Sequence, residues 1–141
     1  MTGSRDSIES LARHFLDVLR EGDRGQIKAL ALTREEFEKF IYPALPASQP
    51  GSGLSADFLY NQSLLRSLGG LQKVMAWHAR RKYEFRGIRF QDGVKEYKGF
   101  TIHKSAMLSI EDERGNVREV QLFDGVLEMD GEFKIYGFNL D

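Results

Sequence analysis

Residues 99–138 read GFTIHKSAMLSIEDERGNVREVQLFDGVLEMDGEFKIYGF. Apolar and polar side chains alternate along most of this stretch, the period of a half-buried strand. DERGN at 112–116 is a polar turn. Asp130-Gly131 is a hairpin signal, because both residue types accept the left-handed backbone of a tight hairpin. The stretch predicts a long strand over 99–110, a second over 117–129 and a third over 132–138. Upstream, 83–90 adds a strand that ends before the Asp92-Gly93 turn. No helical segment separates these strands, which leaves no room for a parallel crossover. They read as an antiparallel meander of four strands.

Phe100, Ile102, Ala106, Leu108 and Ile110 share one side of the second strand, with Thr101, His103, Ser105, Met107 and Ser109 opposite. In the third strand Val120, Leu122 and Val126 oppose Phe123, Leu127 and Met129, so both sides carry apolar groups. That pattern fits a strongly curved sheet, or one whose second face meets a partner. Gly87 and Gly125 lie inside strands, where glycine marks a bulge or bend. Bends there curl the sheet into a cone, whose open mouth is a usual place for a ligand.

Before Tyr83 the period is helical. Ile8, Leu11, Ala12, Phe15, Val18 and Leu19 form one apolar stripe over 7–21, with Asp6 as its cap, Glu9 closing a capping box and Gly22 as its stop. Asp23 with Gln26 caps a short second helix, and Thr33 with Glu36 caps a third that Pro43 ends. Residues 44–53 are a loop by composition. Their formal G-x-G-x-x-A at 51–56 lacks the preceding strand that a dinucleotide fingerprint needs. A further helix starts at Ser55, with Leu54, Phe58, Leu65 and Leu68 on one side; Gly69-Gly70 interrupts it, giving two helices or one kinked helix that fades at Lys82. Helices followed by a meander define an α+β fold, one domain over 1–141.

Composition removes several functions. Twenty Lys+Arg against 21 Asp+Glu give a net charge of −1, so no overall field draws in nucleic acid. The absence of cysteine excludes disulfides, thiolate catalysis and cysteine-ligated metal. No run approaches the length of a membrane span. The three histidines are scattered without a spaced carboxylate, so no metal and no cofactor is expected. The start lacks the apolar core of a signal peptide, which reads as cytoplasmic. A second reading has an export segment or lipid anchor removed ahead of Met1.

The element order, closing on Met129-Asp130-Gly131-Glu132-Phe133-Lys134-Ile135, resembles the nuclear-transport-factor-like superfamily. That superfamily is the cone-shaped α+β fold shared with ketosteroid isomerase and the polyketide cyclases. Leu32-Thr33-Arg34-Glu35-Glu36-Phe37, Pro43-Ala44-Leu45-Pro46-Ala47-Ser48 and Leu122-Phe123-Asp124-Gly125-Val126-Leu127-Glu128-Met129 are similar to segments of bacterial proteins without an assigned activity. The resemblance implies a pocket in which enzymes of the superfamily use Asp, His and Tyr. No position here matches such a set residue by residue, so no catalytic role is carried over.

Seven residues are pocket candidates on their own chemistry. His103 and Asp124 sit mid-strand, each readable as a base or as a sheet-surface or bulge residue. Trp77 and His78 end the last helix, as pocket wall or as core anchor and helix-end residue. Tyr60, Asn61 and Tyr83 offer hydrogen bonds to a cavity, or structural ones. The basic run Arg80, Arg81, Lys82, Arg86 and Arg89 reads as a solvated helix end. The main expectation is a non-catalytic module that holds a small apolar ligand or meets a second copy through its sheet. The alternative is an isomerase, dehydratase or cyclase with His103 or Asp124 as base and Tyr60 or Tyr83 as donor.

Overall fold

The computed structural model describes residues 1–140. Helix α1 (Ile8–Glu21) buries Leu11, Phe15 and Leu19 along the stripe expected from their spacing. Its cap is Ser7 rather than Asp6: the Ser7 hydroxyl accepts from the Ser10 amide at 3.0 Å, and Glu9 pairs with Arg13 instead of closing a box. The start shifts by one because Arg5 is still paired to the sheet edge at Phe133. Helix α2 (Arg24–Ala29) is capped by Asp23, and α3 (Arg34–Glu36) by the Thr33–Glu36 box. A π turn (Phe37–Ile41) and two 3-10 turns lead through the prolines to α4 (Ala56–His78), capped by Ser55.

Helix α4 is continuous through Gly69-Gly70, so of the two expected arrangements the pair of separate helices is excluded. Gly70 is there for clearance. A Cβ on it would lie 1.6 Å from the Phe138 carbonyl oxygen, whereas one on Gly69 would meet nothing within 4 Å. The helix stops at His78, before Lys82, and Arg80 takes a left-handed backbone with φ of 65° while its amide donates to the Leu19 carbonyl at 2.9 Å.

Seven antiparallel strands follow, in two open sheets of order β1-β4-β5 and β2-β3-β6-β7. They are β1 (Glu84–Phe90), β2 (Val94–Tyr97), β3 (Phe100–His103), β4 (Ala106–Glu111), β5 (Val117–Val120), β6 (Val126–Met129) and β7 (Glu132–Ile135). Each long strand expected from the alternation is therefore two, one half in each sheet. The connection is still a curved meander: β1 and β2 run back along β4 and β3, which run back along β5 and β6. Strand β2 had no sequence signal, because VKEY is an exposed edge with little apolar content.

All the long strands bend at one corner. Residues 91–93 oppose only 104 and 105, and 121–125 oppose only 104–107, so each pairing gains one residue there. Extra residues of this kind bend a strand and raise its twist. Ser105 has φ of 59° and donates its hydroxyl to Asp92, and the Ala106 amide donates to the Asp124 carbonyl at 2.7 Å. Gly125 lies at this corner, where a Cβ would be 3.2 Å from the His103 carbonyl oxygen. The pairing also slips between Phe85 and Gly87, as an interior glycine suggests.

The bend explains the two apolar sides. Ala106, Leu108, Leu122, Phe123 and Val126 join α1 in one core, whereas Phe100, Ile102, Leu127 and Met129 join Phe37 and Ile41 in another. The inside of the curve holds Phe15 edge-on to Phe123 at 5.1 Å, with Phe138 at 6.5 Å.

Between α3 and the sheet lies a buried ion pair. Lys134 of β7 has no solvent exposure, and its Nζ meets Glu36 Oε1 at 2.6 Å. The same carboxylate accepts from the Thr33 amide at 3.0 Å and the Thr2 amide at 3.1 Å. The outer edge of β7 is covered by Arg5, paired to Phe133, and by residues 30–32, whose Leu30 carbonyl and Leu32 amide bond Ile135.

Gly70→Ala is expected to destabilise by about 3 kcal/mol or more through backbone overlap, while Gly69→Ala stabilises by about 0.5–1 kcal/mol; urea denaturation of both variants checks this. Burial alone would raise the Glu36 carboxyl, but the bonds from Lys134 and Thr33 outweigh it and hold it below its ordinary value. Its contribution to stability is therefore complete above that ordinary value and is lost as pH falls through the depressed one. Lys134→Met should cost about 3 kcal/mol at pH 7 and flatten this acid limb, and Glu36→Gln added to it should recover part; urea midpoints at pH 7 and in mild acid give the comparison.

Candidate functional site

The seven candidate residues fall into separate places. Tyr60 and Asn61 lie on the second turn of α4, facing α3. Arg34 spans the gap: its guanidinium sits 4.7 Å over the Tyr60 ring and donates to Asp57 at 3.0 Å and Asn61 at 2.6 Å. Tyr60 also packs on Phe37 with centroids 5.7 Å apart. Burial is the main cause that raises its phenol above the ordinary value, so it stays a neutral donor. Beside it runs a cleft of about 320 Å³ between α4, residues 31–34 and the chain after β7. Leu32, Leu64, Leu68, Leu71 and Phe138 supply its apolar lining, and Lys28 and Arg34 its cations. Tyr136 lines it too, with its phenol pushed up to about 12 by burial and then by Tyr97 and Asp124.

Trp77, His78 and Tyr83 meet at the other end of α4, in a second cleft of about 570 Å³. His78 Nδ1 and the Tyr83 hydroxyl are 2.8 Å apart, and Arg118 of β5 donates to that hydroxyl at 3.2 Å. His78 Nδ1 and the Tyr83 hydroxyl therefore share one hydrogen bond, and Arg118 donates to the same phenol oxygen. Burial first, then Arg118 and Arg81, hold the imidazole below its ordinary value. Trp77 is 66% exposed, so it walls the cleft and does not anchor the core.

His103 and Asp124 line neither cleft. His103 stands beside Phe90 at 5.1 Å, and its Nε2 meets Glu128 of the neighbouring strand at 2.8 Å. Asp124 belongs to the corner, where its amide donates to the Gly137 carbonyl at 2.9 Å. Neither tyrosine proposed as a donor shares a cleft with either residue proposed as a base. Among the described residues no group of three His, Asp or Glu side chains could hold a metal ion, and no helix is long and apolar enough to cross a membrane.

Four cleft residues carried no signal of their own. Arg34 and Lys28 sit in unremarkable helical positions, and Lys73 and Arg118 reach the second cleft only through the way α4 meets β5. Arg81 belonged to the basic run read as a solvated helix end; Arg86 and Arg89 of that run instead lie in β1 and pair with Glu84, Glu111 and Glu119. The most exposed large apolar side chains among the described residues are Leu54, Phe58, Leu65 and Trp77 on or beside α4, with Val94 and Val117 on the sheet. The side of α4 expected to seek the core thus partly faces outward.

Compared with protein-family models, curated proteins and solved structures, the chain matches none of them.

An NMR titration should find His78 below the ordinary 6.5 of histidine. Arg118→Gln should raise it only part of the way, because burial is the larger cause and stays.

Proposed function

We propose that this chain is a non-catalytic binding module of the nuclear-transport-factor-like layout, taking a small, largely apolar molecule in the cleft between α4 and residues 31–34. The observation that carries the reading is the chemistry of the lining. Leucines and Phe138 form the walls, two neutral phenols supply hydrogen bonds, and Lys28 and Arg34 stand among the lining residues. Among the described residues that lining includes no imidazole or carboxylate to act as a base near neutral pH. Its volume is near the lower end for ligand sites, about 300–1,000 Å³. An eight-carbon chain supplies at most about 6 kcal/mol on burial, from about 0.8 kcal/mol per methylene.

Octanol and octanoate are the probes, with the Leu64 and Leu68 methyl groups followed by NMR. Saturable shifts with an affinity of about 1 mM or tighter are expected, with octanoate at least as tight as octanol. Ser63→Trp, which fills the cleft from α4, should weaken binding about tenfold with unchanged circular dichroism. Absence of saturable shifts for both probes, or indifference to Ser63→Trp, would overturn the reading.

A further inference from the structure

The second cleft has a different chemistry. Lys73 and Trp77 come from α4, Arg81 from the chain that follows it, and Arg118 from β5. Three cations line one recess in a chain of net charge −1, and among the described residues no carboxylate lines it. None of the three makes an ion pair among the described residues, in contrast to Arg86 and Arg89 nearby. Asp112 and Glu113 line the adjoining recess with Arg81, Tyr83 and Arg118; one oxygen of each accepts from backbone, and among the described residues neither pairs with either arginine. Asp112 accepts from the Arg114 amide at 2.9 Å and the Asn116 amide at 3.0 Å, and Glu113 accepts from the Lys82 amide at 3.1 Å.

Arg118 is also oriented. Its guanidinium lies 5.7 Å from the Tyr83 ring centroid, and one of its nitrogens donates to the Tyr83 hydroxyl that His78 fixes from the other side. A guanidinium held at one nitrogen keeps its remaining donors for a planar or tetrahedral anion. Trp77 leaves two thirds of its surface in water at the same recess. Aromatic rings prefer to cover such a face by offset stacking.

We propose that this cleft binds a small organic anion that carries an aromatic ring, the anionic group held by Arg118, Arg81 and Lys73 and the ring lying on Trp77. Tyr83 and His78 are positioning residues for Arg118. The cleft shares no lining residue with the apolar one, so either proposal can fail without the other. A bound anion also offsets the charge of Arg118 and Arg81 at His78, which couples occupancy to the titration of that ring.

Phenyl phosphate is the probe, with inorganic phosphate as its ring-free control, both added to the full chain. Trp77 is the sole tryptophan, so intrinsic tryptophan fluorescence reports this cleft. Phenyl phosphate should give a saturable change, bind about tenfold tighter than inorganic phosphate, and weaken as salt rises. On saturation the His78 titration midpoint should move up. Arg118→Gln and Lys73→Gln should each weaken phenyl phosphate about five- to tenfold. Lys73 is exposed, so its variant tests the site even where Arg118→Gln perturbs the sheet. Trp77→Leu, read through the His78 proton resonances, should bring phenyl phosphate down to the level of inorganic phosphate. Any of three results overturns the proposal: no saturable change at about 20 mM phenyl phosphate, unchanged affinity in Lys73→Gln, or equal binding of the two probes.

Discussion

Lys134 is a fully buried cation, and the arrangement of the helical layer over the second core depends on how it is neutralised. An ammonium removed from water without a partner is far too costly to keep. Glu36 answers it from α3, and the same carboxylate closes the capping box that starts α3 and receives the Thr2 amide. One side chain thus joins a helix start, a strand and the N-terminal segment. The alternation on the sheet makes this necessary: Lys134 pairs with Leu127, so it shares the face that meets Phe37 and Ile41. The ion pair sets where α3 lands, and α3 carries Arg34 to the Tyr60 side of α4.

The second constraint is the corner. An unbent meander would have one apolar face, and its helices would cover one core. Added residues opposite 104 and 105 turn each long strand, so Phe100 and Ile102 of β3 enter one core while Ala106 and Leu108 of β4 enter the other. The concave side is filled by Phe15, Phe123 and Phe138. Recesses are left at the margins of α4, which is fully buried only at Gly70, Leu71 and Val74 and packs its first turns on Phe37 through Tyr60.

Local chemistry was legible and distant chemistry was not. The caps at Asp23 and Thr33, the Asp130-Gly131 hairpin and the change of period near Tyr83 depend on residues within a few positions, and each is where the sequence places it. Gly70 misleads because its reason, the Phe138 carbonyl, lies far along the chain. The Ser105 corner hides because serine rarely takes a left-handed backbone, and the Asp92 bond that accompanies it spans the turn. In the second cleft Trp77 and His78 stood out as a pair at the helix end, whereas Tyr83 was grouped with Tyr60 and Asn61, from which the fold separates it. Arg118 joins them only through the register that sets β5 against β4 and β4 against β1. His103 stood out for its type alone, and the strand pairing gives it to Glu128.

The cover over β7 limits how this fold can associate. A sheet that grows without end needs two open margins, and here one is sealed by Arg5 and residues 30–32. The opposite margin, β2, is four residues long and carries Lys95 and Glu96. Strand-to-strand joining through β2 would close on itself after two chains, so that sheet cannot propagate into a filament.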